Sequence, residues 1–241
     1  MASSKSEGRE YGATVTRVYH ALRVPIVDGE IPPGQRMNID AIARRLGVSQ
    51  TPVREALQRL EADDLLVYAP GRGYRTTPVL DLAGLRSVFE FRLLLEPWAA
   101  RAAATDRLSN PGAGLDAELR SFAEVAGGDN VRQELLGHDT RFHAMILAAT
   151  GNEVVQSAYA SSHCHLHVFR LSAVDVNGER TIDEHRRILD AIRDCDPEAA
   201  EAAMVEHIRS SYGRSAQVFH APRPDLRVDA AGGVRASRIL G

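Results

Sequence analysis

Gly47-Val-Ser-Gln-Thr-Pro-Val-Arg-Glu-Ala-Leu57, then Leu60 and the tip Pro70-Gly-Arg-Gly73, decide the fold of the first third of this 241-residue chain. Ser49 or Thr51 can cap a helix that accepts Pro52 in its first turn, where a backbone N–H has no intrahelical partner anyway. Val53, Ala56, Leu57 and Leu60 recur at helical spacing and predict a helix over 50–63 with one apolar face. Upstream, Ile39, Ile42, Ala43 and Leu46 predict a short helix over 39–46, with Gly47 as its left-handed stop. Val15, Val18, Tyr19, Leu22 and Ile26 predict another over 11–28, ended by the Gly29–Gly34 stretch. Downstream, residues 65–68 and 74–77 flank the Pro70–Gly73 tip as a small β-hairpin. Three helices and a hairpin are the layout of a winged helix-turn-helix, predicted over 11–78 behind a disordered tail at 1–10.

Such a unit reads double-stranded DNA through the N-terminal end of its third helix. There the sequence offers Ser49, Gln50, Thr51 and Arg54. Arg54 matches guanine O6/N7 and Gln50 matches adenine N6/N7. Gly71 lets the thin tip approach closely, and Arg72 would enter a minor groove. The charge agrees in sign: residues 1–78 hold eleven Lys and Arg against nine Asp and Glu, whereas the whole chain is at −3.

Beyond Pro78 only long helices are predicted, at about 81–106, 113–126, 130–150, 152–173, 179–194 and 197–219. They form an all-helical bundle over 81–220, so the fold is mostly α. Residues 221–241, rich in Pro, Gly and Arg, are predicted to be a disordered tail. Eight of nine histidines fall between 138 and 220. Asp139 lies on the apolar stripe of Leu135, Phe142 and Ile146, with His143 at its edge. His185 lies among Ile182, Leu189 and Ile192, and His207 beside Met204 and Ile208. A carboxylate on a buried face is costly unless paired or metal-bound. One Asp and three His turned inward suit a divalent transition metal: Zn first, with Ni, Mn or Fe also compatible. Arg92 and Glu96, spaced i, i+4, form either a surface pair or a pocket pair in which Arg92 holds a carboxylate. Of the cluster His163, Cys164, His165 and His167, read on one continuous helix, His163 is assigned to line the effector pocket. Two cysteines without a CxxC exclude a disulfide framework, and no apolar run is long enough for a membrane span. A cytoplasmic protein with no membrane contact is expected.

The segments Gly29–Gly34, Ile42–Leu57 and Pro70–Tyr74 resemble the DNA-binding domain of GntR-family transcriptional regulators. The resemblance implies a homodimer on a short palindromic operator, contacted by Ser49, Gln50, Thr51, Arg54, Gly71 and Arg72. Gln50 stands where the family usually has Arg, and Asp64 where it usually has Gly. The pieces Phe91-Arg92, Glu96-Pro97, Asp139-Thr-Arg-Phe-His143, Glu184-His185 and His207 resemble the FCD effector domain of the FadR-like branch. Position by position, Asp139, His143, His185 and His207 correspond to the ligands of its metal-binding members, and the implied effector is a small organic acid. Two rival readings are a metal-dependent enzyme with a DNA-binding head, against which no adjacent general base such as HExxH is visible, and a sensor of the metal itself. The expectation is a regulator and not an enzyme.

Overall fold

The computed structural model describes residues 2–105, 110–171, 175 and 177–219. The predicted tail at 221–241 lies outside them. Two compact units divide the chain, 1–79 and 80–241. Among the described residues no helix is long and apolar enough to cross a membrane.

In the first unit, helix α1 (Ala2–Val27) buries Val15, Val18, Leu22 and Ile26. It packs on α3 (Gln50–Ala62), which buries Val53, Ala56, Leu57 and Leu60. The predicted tail at 1–10 is corrected here: helix runs from Ala2. No proline interrupts those residues, so the helix outlasts the apolar stripe that marked it. Helix α2 (Ile39–Leu46) is capped by Asn38, whose side chain accepts from the Ala41 N–H at 3.0 Å. Gly47, at φ 65°, closes its end. Ser49 is the N-cap of α3 and makes no side-chain bond there. At the other end Asp64 takes a left-handed φ of 56°. The Leu65 N–H reaches Leu60 O at 2.9 Å and the Asp64 N–H reaches Glu61 O at 3.0 Å. That is the helix stop that glycine usually provides. Strands β1 (Leu66–Ala69) and β2 (Gly73–Thr76) pair antiparallel, from Leu66 opposite Thr76 to Ala69 opposite Gly73. A further bridge, Arg36 to Arg75, lays the chain ahead of α2 along the free edge of β2.

The second unit is a helical bundle of α4 (Leu82–Ala103), α5 (Gly112–Val125), α6 (Val131–Ala148), α7 (Glu153–Ser161), α8 (Cys164–Phe169), α9 (Glu179–Arg193) and α10 (Pro197–Ala216). Caps fix several starts: Asp81, Asn152 and Asp196 accept from Gly84, Val155 and Ala199 N–H groups. The core unites Phe89 and Leu93 of α4, Phe142 and Ile146 of α6, Ile188 and Ile192 of α9, and Met204 and Ile208 of α10. The single helix predicted over 152–173 is two. It breaks at His163, whose backbone is left-handed at φ 44°. Neither Gly nor Pro marks that break, so the periodicity runs through it unseen.

Candidate functional site

Helices α6, α9 and α10 bring Asp139, His143, His185 and His207 to one buried point, with one ligand atom from each within 4.8 Å of the others. Asp139 Oδ1 stands 3.4 Å from His185 Nε2 and 3.7 Å from His143 Nε2. Ligand atoms about 2.1 Å from a common ion stand roughly 3.0–3.4 Å apart, so little closure is needed. The Nε2 atoms of His185 and His207 are buried and have no hydrogen-bond partner. Two orphaned nitrogens beside a carboxylate oxygen are costly in a dry interior, and a metal ion would satisfy them.

Two of the imidazoles are steadied from their outer side. His207 Nδ1 lies 2.8 Å from Glu184 Oε2, and Arg214 grips that carboxylate at 2.6 and 2.9 Å. His185 Nδ1 lies 3.0 Å from His138 Nε2. His138 Nδ1 lies 3.1 Å from Glu118, which Arg141 holds in turn at 2.9 and 2.8 Å. His143 Nδ1 is 2.7 Å from Glu96 Oε2, in a geometry too bent for a hydrogen bond. In His185 and His207 the outer nitrogen is thus engaged while Nε2 faces the candidate ion, the arrangement that fixes tautomer and ring orientation in metal sites.

Electrostatics favour the same protonation states. Burial pulls His143 down to about 4 and holds His185 well below its ordinary value, so both rings are neutral at neutral pH. Burial opposes the charge on Asp139, but His165, then His143 and His185, hold it well below the usual carboxylate range. Burial likewise opposes Glu184, yet its bonds from His207 and Arg214 bring it down to about 2.

Arg92 is not a surface residue. It is buried, donates to Glu96 at 2.6 and 3.2 Å, and places Nη2 3.4 Å from His143 Nε2. His163 is half-buried at the α7–α8 junction, and the ring that reaches Asp139 is His165. His165 Nδ1 bonds Asp139 Oδ2, and its Nε2 lies 2.7 Å from the Tyr159 hydroxyl. Burial disfavours a charge on this ring, but Cys164 and Asp139 outweigh it and push His165 up to about 10. Sequence reasoning missed His138, Tyr159 and His165. His138 shares a helix face with Phe142, a signal that was present; His165 was hidden by the helix break.

In the first unit the DNA-reading candidates Ser49, Gln50, Thr51, Arg54, Gly71 and Arg72 are all exposed. Gln50 donates its amide to Asp40, and Arg54 Nη2 donates back to the Gln50 carbonyl oxygen at 3.2 Å. Asp40 of α2 therefore sets which way the Gln50 amide faces.

Residues 14–75 match the family model of bacterial regulatory proteins, gntR family, and residues 87–210 match that of the FCD domain. A relative in Paenarthrobacter nicotinovorans, described as a "probable D-xylose utilization operon transcriptional repressor", is 30% identical over 209 residues, covering 86% of this chain and 90% of that one. The galactonate operon transcriptional repressor of Escherichia coli is 28% identical over 84% of this chain and 96% of its own. In fold, a protein from Rhodococcus sp. RHA1 described as a "putative transcriptional regulator GntR" superposes with a TM-score of 0.67 at 22% identity, covering 88% of this chain and all of that one. With one unit matching the family's DNA-binding model and the other its FCD partner, the chain belongs to the GntR family of bacterial regulatory proteins and is a DNA-binding transcriptional regulator, not an enzyme.

Proposed function

We propose that this regulator is a homodimeric repressor whose hold on a palindromic operator is set by a small organic acid, bound beside a divalent metal in the helical unit. Asp139, His143, His185 and His207 hold the ion, and Zn suits three neutral imidazoles and one carboxylate. Four ligands leave room for one or two further oxygens on a larger coordination shell. Arg92 Nη2, beside His143, is placed to meet an acid there. The DNA is read by Ser49, Gln50, Thr51 and Arg54 in a major groove, with Gly71 and Arg72 at the wing. The repressor reading is supported by the sugar-operon repressors among its relatives. The observation that carries the metal reading is the pair of buried, unpartnered Nε2 atoms aimed at the same point as Asp139.

The test begins by selecting an operator from random duplexes with purified protein. Metal content is then measured by mass spectrometry, and operator affinity is titrated with a panel of hydroxy and sugar acids, with and without chelator. We expect one divalent ion per chain and an acid that shifts affinity by about 5–150-fold only in the loaded protein. A metal-free protein, or an acid response that survives His185→Ala, would overturn the reading.

A further inference from the structure

Outside the four ligands, five buried side chains form one connected group: Arg92 and Glu96 of α4, Tyr159 of α7, and Cys164 and His165 of α8. Three of them, His165, Tyr159 and Glu96, close a path between two of the ligands. Asp139 Oδ2 bonds His165 Nδ1, and His165 Nε2 lies 2.7 Å from the Tyr159 hydroxyl. That hydroxyl donates to Glu96 Oε1 at 2.6 Å, and Glu96 Oε2 faces His143. The path fixes its own protons. Tyr159 has one proton, and the charged Glu96, gripped by Arg92, takes it. The Tyr159 oxygen must then accept from His165 Nε2, and Asp139 must accept from Nδ1. His165 therefore donates from both nitrogens and is an imidazolium. Two cations, Arg92 and His165, balance two carboxylates, Glu96 and Asp139, which leaves the ligating imidazoles uncharged.

We propose that His165 is a positioning residue of the metal centre: by occupying Asp139 Oδ2 it commits the other oxygen alone to the ion. The inference rests on the metal reading above. Oδ1 is the oxygen that faces His143 and His185, so it is already the one selected. Without His165 the carboxylate is free to rotate or to offer both oxygens, and Asp139 becomes a buried anion with one side unpaired. The left-handed backbone at His163 turns α8 so that this ring points inward while its neighbours His163 and His167 stay half-buried.

Zn²⁺ affinity of the full-length protein is measured by competition with a chromogenic chelator, alongside the visible absorption of the Co²⁺ form and the melting temperature of the metal-free form. His165→Leu should weaken Zn²⁺ about 10–100-fold, the usual loss for an outer partner, and alter the Co²⁺ bands as Asp139 changes its mode of binding. His165→Asn puts an amide nitrogen where Nδ1 was and should restore affinity to within about threefold with parental Co²⁺ bands. Tyr159→Phe, which removes a single hydroxyl and keeps the test readable if His165→Leu does not fold, should weaken Zn²⁺ several-fold. Parental affinity and spectrum in His165→Leu, or in Tyr159→Phe, overturns the proposal and leaves the metal reading standing. Equal losses in the Asn and Leu variants also overturn it, since bulk and not the donated bond would then be what matters. A parent that binds no metal overturns both.

Discussion

Replacing His138 with Phe isolates one outer partner of the centre. His138 is fully buried, with Phe122 and Phe142 rings 5.1 and 5.8 Å away, so a phenyl ring fits the same aromatic setting. What is lost is the acceptor 3.0 Å from His185 Nδ1. With Nε2 turned to the ion, His185 must carry its proton on Nδ1, and in His138→Phe that N–H has nothing to donate to. Glu118 keeps its two bonds from Arg141, so no second defect is created. An unsatisfied buried donor costs about 1–3 kcal/mol. Loss of the outer partner of a ligating His weakens the metal about 10–100-fold, or about 1.4–2.7 kcal/mol, and the two ranges agree. Competition with a chelator of known affinity measures the loss, and the melting temperature of the metal-free form controls for the fold. Unchanged metal affinity in a folded His138→Phe protein would refute the claim that the outer hydrogen bonds orient these ligands.

Four further outcomes are expected. Arg54→Ala should weaken operator binding by about 1–3 kcal/mol in a fluorescence-anisotropy titration and leave metal content unchanged; parental affinity would remove Arg54 from the interface. Gly178→Ala should destabilise the protein by about 2–5 kcal/mol in urea, because φ is +72° and a Cβ would stand 2.5 Å from Leu135 Cδ1; a loss below about 1 kcal/mol would contradict that packing. Asp64→Gly should stabilise by roughly 0.5–1 kcal/mol, since it relieves a left-handed non-glycine and keeps the backbone carbonyl that Thr77 bonds. Metal-free protein should lose stability in acid: His143 is held at about 4 against an ordinary 6.5, so its contribution is complete above pH 6.5 and is lost as pH falls through 4. That loss amounts to at most about 3 kcal/mol, and Glu184, at about 2, adds a loss of the same sign below its ordinary 4.5; melting curves from pH 7.5 to 4 that do not move would refute the assignment.

The DNA-binding unit was legible because its signals are local. Gly47 ends α2, Pro52 sits where only a first turn admits it, and glycines frame Arg72. The four candidate ligands were legible because they interrupt apolar stripes, which is where a polar group needs a reason to be. What stayed hidden depends on contacts between distant segments. The break at His163 carries no helix-breaking residue, and reading one helix through it drew attention to His163 and away from His165, the ring that bonds Asp139. The edge bridge from Arg36 to Arg75 joins residues 39 apart and has no local mark. The start of α1 escaped because helix persists past the last apolar position of its sequence stripe.

The candidate centre draws on α6 and α10, and Asp139 and His207 are 68 positions apart. An ion held by both ties off that stretch much as a covalent cross-link would. The polymer arithmetic for a tether of this span gives about 4 kcal/mol of lost disorder in the denatured chain. Stripping the ion would restore that freedom, so chelation would lower the unfolding threshold of the whole helical unit even where no native contact is disturbed.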